Sequence, residues 1–221
     1  ILALSSTTNA FVTLSDIDAI LTPSFRTLET ADHVTRRSIS RLIAGLLSST
    51  QVEGSAVQAP PPKKKKAKEG EEEDDDPYPS TGAPGTNEAA SKTLLSPIGM
   101  LAQLSAPYNK QSASRRLRNA IIDVYAELFT SLGAGWIEHY YSEIAKHLID
   151  EIGCGAAAGL GWTGWNARAA ERTEPAKARF DALSARKAVA ILLRDIISGR
   201  LLSEPGQIMA ARELGSLFLK K

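Results

Sequence analysis

The strongest candidate ligands and nucleophiles in the chain are three histidines, His33, His139 and His147, and one cysteine, Cys154. His139 and His147 stand eight residues apart, close to one face of a helix, a spacing that could begin a metal site. No further Cys or His has helical spacing to them, so they read as structural histidines, either satisfied or exposed. Cys154 sits in a glycine-rich stretch with no His or cation immediately around it, and reads as a plain thiol. Asp150 and Glu151 are adjacent, and adjacent helical residues diverge by about 100°, so they read as a solvated helix end rather than a catalytic pair. Gly153, Gly155, Gly159 and Gly161 invite comparison with a phosphate-cradling loop, but no strand precedes them and no Gly-Lys-Ser/Thr follows. The expectation is a chain without catalytic, cofactor-binding or metal-ligating residues, and not an enzyme.

The basic residues divide into two kinds. Lys63–Lys66 with Lys68 have the composition of a nuclear-localisation or nucleic-acid tract. The acidic run Glu71–Glu73 and Asp74–Asp76 follows and competes for any polyanion, so a nucleic-acid partner is not expected. Arg36, Arg37, Arg115, Arg116 and Arg118 fall instead in the first turns of predicted helices. Cations there oppose the helix dipole, so a pairing role must offset a few tenths of a kcal/mol. Asp32-His33-Val34-Thr35-Arg36 and Leu117-Arg118 loosely fit the opening of a second helix in a helical-pair repeat. Arg36 and Arg118 would then reach acids on the neighbouring pair, a polar ladder rather than a phosphate site.

The elements that must position these arginines show a helical period. Ile17, Ile20, Leu21, Phe25 and Leu28 form one stripe, with Ser15 as a cap and Pro23 as a kink. Ile39, Leu42, Ile43, Leu46 and Leu47 form a second, capped by Asp32. Ser96 and Pro97 open a short third helix carrying Ile98, Leu101 and Leu104. Leu117, Ile121, Val124, Tyr125, Leu128 and Leu132 follow, closed by Gly133 at the position after the helix. Trp136, Tyr140, Ile144, Leu148 and Ile152 make a row at i, i+4, which predicts that Trp136 is buried between neighbouring pairs. Two further stripes are Leu183, Val189, Leu192, Leu193, Ile196, Ile197 and then Ile208, Leu214, Leu217. No run alternates with period two. The reading is all-α.

Composition agrees with this. The 221 residues are 43% hydrophobic and 23% charged, with a net charge of +1, an ordinary balance for a chain with a buried core. A single Cys excludes a disulfide framework. The best candidate for a membrane span, 152–167, is short and broken by glycines, where a span needs roughly 20 mostly apolar residues. The N-terminus lacks the basic-then-apolar pattern of a secretory signal, so an intracellular chain is expected. Residues 51–93 hold three prolines at 60–62, six lysines and nine acids, and predict a disordered linker. Domain boundaries follow: a helix end and one helical pair over 1–50, the linker over 51–93, and helical pairs over 94–221 with a glycine-rich loop at 153–174.

Short connections make successive helices antiparallel neighbours, which allows a closed bundle or a stack of helix pairs. Ile1-Leu2-Ala3-Leu4 resembles the last turn of a helix, and Leu217-Phe218-Leu219 ends without a cap, so a stack is expected. Leu14-Ser15-Asp16-Ile17-Asp18, Thr35 to Ile43, Leu117 to Tyr125, Ser131 to Glu138 with its Leu-Gly-Ala-Gly-Trp, Arg194 to Leu202 and Gln207 to Leu214 carry a specific resemblance. The chain resembles the N-terminal part of the large HEAT-repeat proteins that accompany the type-1 clathrin adaptor, the family of HEAT-repeat-containing protein 5 and the fungal large adaptor-accessory protein. It departs from that family at Pro23, at the linker and at the glycine-rich loop.

The resemblance implies an α-solenoid of antiparallel pairs, with Arg36, Arg118, Gly133 and Trp136 in structural roles. It implies a non-enzymatic scaffold in traffic between the trans-Golgi network and endosomes. Its partners would be clathrin-adaptor machinery and further repeats, with membrane association peripheral and through partners. The lysine tract favours a different class, an importin-like nuclear scaffold.

Overall fold

The computed structural model describes residues 14–51, 95–154 and 176–219. Apart from Gln51, Gly153 and Cys154, the predicted linker and glycine-rich loop lie outside the described residues. The described residues are helical and contain no strand: α1 (Leu14–Thr30), α2 (His33–Ser49), α3 (Pro97–Asn109), α4 (Arg115–His147), α5 (Ala176–Ala190) and α6 (Glu204–Leu219). Two wider π-helical segments continue α4 over Leu148–Gly153 and α5 over Ile191–Leu201. Gly153 therefore ends a helix instead of opening a loop, and both it and Cys154 are buried.

Local chemistry starts three of these helices. Asp32 accepts from the Thr35 N–H at 2.9 Å, Ser96 from the Gly99 N–H at 3.0 Å and Ser114 from the Leu117 N–H at 3.1 Å. Each satisfies one of the orphan donors of a first turn, worth about 1 kcal/mol against Ala. Ser15 does not cap α1, which already begins at Leu14. Pro23 does not break α1 either, and the helix runs on to Thr30.

Gly133 is the decisive backbone position. Its φ of 79° and ψ of 170° lie in a region that essentially only glycine occupies. The chain leaves one helix there and enters the next without a loop. On a straight helix, Tyr125 and His147 would be about 33 Å apart at 1.5 Å per residue. The phenol of Tyr125 instead lies 3.0 Å from Nε2 of His147, so α4 is two helices folded back on each other.

Neighbour relations follow from single contacts. Arg118 meets Tyr108 while Tyr125 meets Leu101, so the register falls along α3 as it rises along α4, and the two are antiparallel. Between α2 and α4 it rises on both sides: Ala31 meets Arg116, Arg36 meets Asp123 and Arg41 meets Glu127. These two helices run the same way. The shared core between them holds Ile17, Leu28, Ile43, Leu47, Leu101, Ile121, Tyr125 and Phe129, all essentially without exposure.

Four stripe positions differ from the expectation. Trp136 is only half-buried, its ring 4.8 Å from that of Tyr140, and the fully buried neighbour is Ile137. A strict i, i+4 row drifts by about 40° per step against the 3.6-residue period, so the face that buries Ile144, Leu148 and Ile152 carries Ile137 and Tyr141 rather than Trp136 and Tyr140. Leu183 is 59% exposed, and the small side chains Ala182 and Ala185 are buried in its place. Ile98 and Ile208 are likewise exposed, each at 52%.

Most of 152–167 lies outside the described residues, and one helical stretch among the described residues, Arg115–Gly153, could cross a membrane by length and composition. The Gly133 reversal divides it, and α2, α3 and the continuation of α5 pack against it.

Two glycines two residues apart should respond differently to alanine. A Cβ would meet nothing within 4 Å at either Gly133 or Gly135. Gly133→Ala should cost about 1–3 kcal/mol from backbone strain alone. Gly135→Ala, helical and open, should be neutral or stabilising by up to about 1 kcal/mol. Urea unfolding of the two variants checks this.

Candidate functional site

Arginines at the starts of α2 and α4 form two linked arrangements. In the first, Arg118 closes the end of α3. Its Nε donates to the Tyr108 carbonyl at 3.2 Å and its Nη2 to the Lys110 carbonyl at 3.4 Å. Its Nη1 also lies 4.0 Å from Asp181 on α5, which Arg115 approaches at 3.1 Å. The unfavourable position of Arg118 at the N-terminal end of its own helix thus becomes a favourable one at the C-terminal end of its neighbour. Arg116 does the same for the link after α1 by donating to the Ala31 carbonyl. Arg115 also lies over the Phe180 ring at 4.3 Å. Only about 20 Å³ of space remains at this junction, enough for a water but not a ligand.

The second arrangement is open. Arg36 approaches Asp123 at 3.7 Å, and Arg37 and Arg41 share Glu127 at 3.8 and 3.5 Å. These pairs line a groove of about 420 Å³ between α2, α4 and the continuation of α5, with His33, Thr130, Ile196 and Arg200. Four arginines face two carboxylates, an excess of two positive charges. Ser40 also lines it, 1% exposed, its hydroxyl without a hydrogen-bond partner. Packing around Asp123 raises its carboxyl above the usual range, although Arg36 and His33 pull it down.

Of the four residues singled out from the sequence, Arg36 lines this groove and Arg118 holds the junction beside it. Gly133 reverses the chain, and Trp136 packs against the edge of the core, so the four do not form one site. Arg41, Ser40, Asp123, Glu127, Asp181 and Arg200 were not singled out. The signal for three of them was present in two i, i+4 pairs, basic Arg37/Arg41 on α2 and acidic Asp123/Glu127 on α4.

The two helical histidines have separate fates. His139 is exposed, edge-on to the Tyr140 ring at 4.5 Å. His147 is buried. Tyr125 donates its single proton to the Leu101 carbonyl at 3.1 Å, so its oxygen accepts from His147 Nε2–H. Burial lowers the imidazole to about 4 from 6.5 and keeps it neutral. Among the described residues no three His, Cys, Asp or Glu side chains could together hold a metal ion.

Comparison with family models, with curated proteins and with solved structures finds no match for this chain.

Two outcomes follow from this geometry. Arg118→Met should cost about 1.5–3 kcal/mol, because it strands two carbonyls and weakens the hold on Asp181. Arg118→Lys should not restore it, since one ammonium cannot span three acceptors. Arg37→Ala, on an exposed pair, should cost under about 1 kcal/mol. Urea midpoints of the three variants give the comparison.

For His147, the unfolded imidazole binds a proton between pH 6.5 and about 4 that the folded one refuses. Stability is therefore full above pH 6.5 and falls by about 3 kcal/mol as pH drops through that window. His147→Gln should flatten this slope in a pH series of urea unfolding curves.

Proposed function

We propose that the chain is an α-solenoid of HEAT-like antiparallel helix pairs and serves as a non-enzymatic scaffold in clathrin-adaptor-dependent traffic. The observation that carries the architectural part is the repeated relation between helices. Inside a pair, α3 and the first half of α4 are antiparallel. From one pair to the next, α2 and α4 run the same way, joined by arginine-to-carboxylate contacts. Arg115 and Arg118 repeat that contact to Asp181 on α5. A stack of pairs requires this combination, whereas an up-down bundle places antiparallel neighbours throughout.

The trafficking part rests on the resemblance of Leu117 to Tyr125, Ser131 to Glu138 and the other matched stretches to the adaptor-accessory family. It implies cytoplasmic protein held at the trans-Golgi network and endosomes through partners, chiefly adaptor machinery and further repeats. Stacked pairs suit this role because they offer extended faces over which weak contacts add.

The test is a cellular deletion of residues 95–219. Missorting of adaptor-dependent cargo, with nuclear import intact, is the expected result. Loss of nuclear entry of a cargo with normal sorting would replace this reading by the nuclear-scaffold one.

A further inference from the structure

We infer that the groove between α2, α4 and the continuation of α5 is a docking site for an acidic peptide segment of a partner protein. Carboxylates of that segment would be held by Arg37, Arg41 and Arg200 around the Ser40 hydroxyl. The inference rests on the stacked-pair reading, since helices of successive pairs supply the walls. It does not depend on the trafficking role.

Charge is the first argument. Four arginines against two carboxylates leave the groove positive in a chain whose net charge is only +1. The internal contacts of Arg36, Arg37 and Arg41 span 3.5–3.8 Å, longer than the 2.7–3.2 Å of a hydrogen bond. Their guanidinium N–H groups therefore keep donors for a planar carboxylate, the geometry that arginine matches best.

Ser40 supplies an independent argument. Its hydroxyl is buried among the groove-lining atoms, 1% exposed, and has no hydrogen-bond partner. A buried hydroxyl without a partner is costly, and an oxyanion brought in by the surrounding arginines would accept its proton.

Peptide is favoured over the other polyanions by Asp123 and Glu127. These acids lie between the arginines and would repel a continuous phosphate backbone, but they can accept N–H groups from a peptide main chain. A bilayer surface does not enter a recess walled by three helices. The volume, about 420 Å³, lies within the usual range of ligand sites.

The experiment uses the full 221-residue chain and fluorescence anisotropy. The probe is a short fluorescein-labelled peptide of alternating Glu, Gly and Ser, and the control carries Gln for each Glu. The Glu peptide should bind, weaken with added NaCl, and be lost in the Gln control. Arg41→Ala and Arg200→Ala should each weaken it by about threefold to tenfold. Ser40→Ala should weaken it by about fivefold while leaving the unfolding midpoint unchanged or higher, an effect that a purely structural serine would not give.

Unfolding midpoints of all variants separate loss of the stack from loss of the ligand. Equal binding of the Gln peptide, or unchanged affinity in the folded arginine variants, would overturn the inference. So would preference for a labelled single-stranded oligonucleotide or for phosphatidylserine vesicles. Binding that emerges only after Glu71–Glu73 and Asp74–Asp76 are replaced by Gln and Asn would assign the groove to this chain's own acidic run, and would equally remove the partner.

Discussion

If residue 133 were held to ordinary helical angles, Tyr125 and His147 would lie on one rod, about 33 Å apart. Because Gly133 takes φ 79° and ψ 170°, the rod folds into two helices, and the phenol and imidazole meet at 3.0 Å. That contact then orders a buried chain of hydrogen bonds. Leu101 accepts from Tyr125, Tyr125 accepts from His147, and the tautomer of His147 follows. The same reversal brings the end of the second helix to α3, where Asn109 donates to the Glu151 carbonyl at 2.9 Å. One glycine without a Cβ therefore sets how α3 and the two halves of α4 meet.

Arginine placement solves a second problem that helix ends create. Each helix finishes with carbonyls that lack intrahelical donors, and α3 ends on Asn109 with a lysine after it. Arg118 supplies those donors from the next helix and adds the attraction of a cation for the negative end of the dipole. The same side chain points onward to Asp181, so one guanidinium links three successive elements. Lysine could carry the charge but not the fork of donors. The contacts that hold α4 to α3 are thus continuous with those that hold it to α5.

Much of the helical pattern was legible because burial on one face imposes its period on the sequence. Asp32 and Ser96 were legible as caps because their side chains act locally, on N–H groups three residues away. The misplaced residues fail for different reasons. Trp136 heads an i, i+4 row, but such a row drifts by about 40° per step, so the face buried at Ile144, Leu148 and Ile152 holds Ile137 instead. Leu183 continues an apolar stripe, yet α5 buries Ala182 and Ala185, where small side chains suit a close approach. Arg36 could be assigned an acidic partner in kind. Its identity as Asp123 required the relative register of two helices separated by the long 51–93 segment, which no local pattern encodes. Ser40 was silent in the sequence because a serine on a helix normally finds a carbonyl or water, and only its surroundings show that this one does not.

The groove takes its shape from these same constraints. Arg37 and Arg41 project from a helix whose other face is pinned by Ile43, Ala44 and Leu47, all fully buried. Glu127 stands on α4 between Val124, Tyr125 and Leu128, equally buried. Arg200 follows Ile197, whose carbonyl accepts from the Leu202 N–H at 3.0 Å and closes that segment. Charged groups mounted on packed helices hold their spacing better than groups carried on loops. Their mutual pairs are long and solvent-screened, so each contributes little to folding. Arginines that add little to stability, yet are held in a fixed array around an unsatisfied buried hydroxyl, leave most of their hydrogen-bonding capacity for something outside the chain.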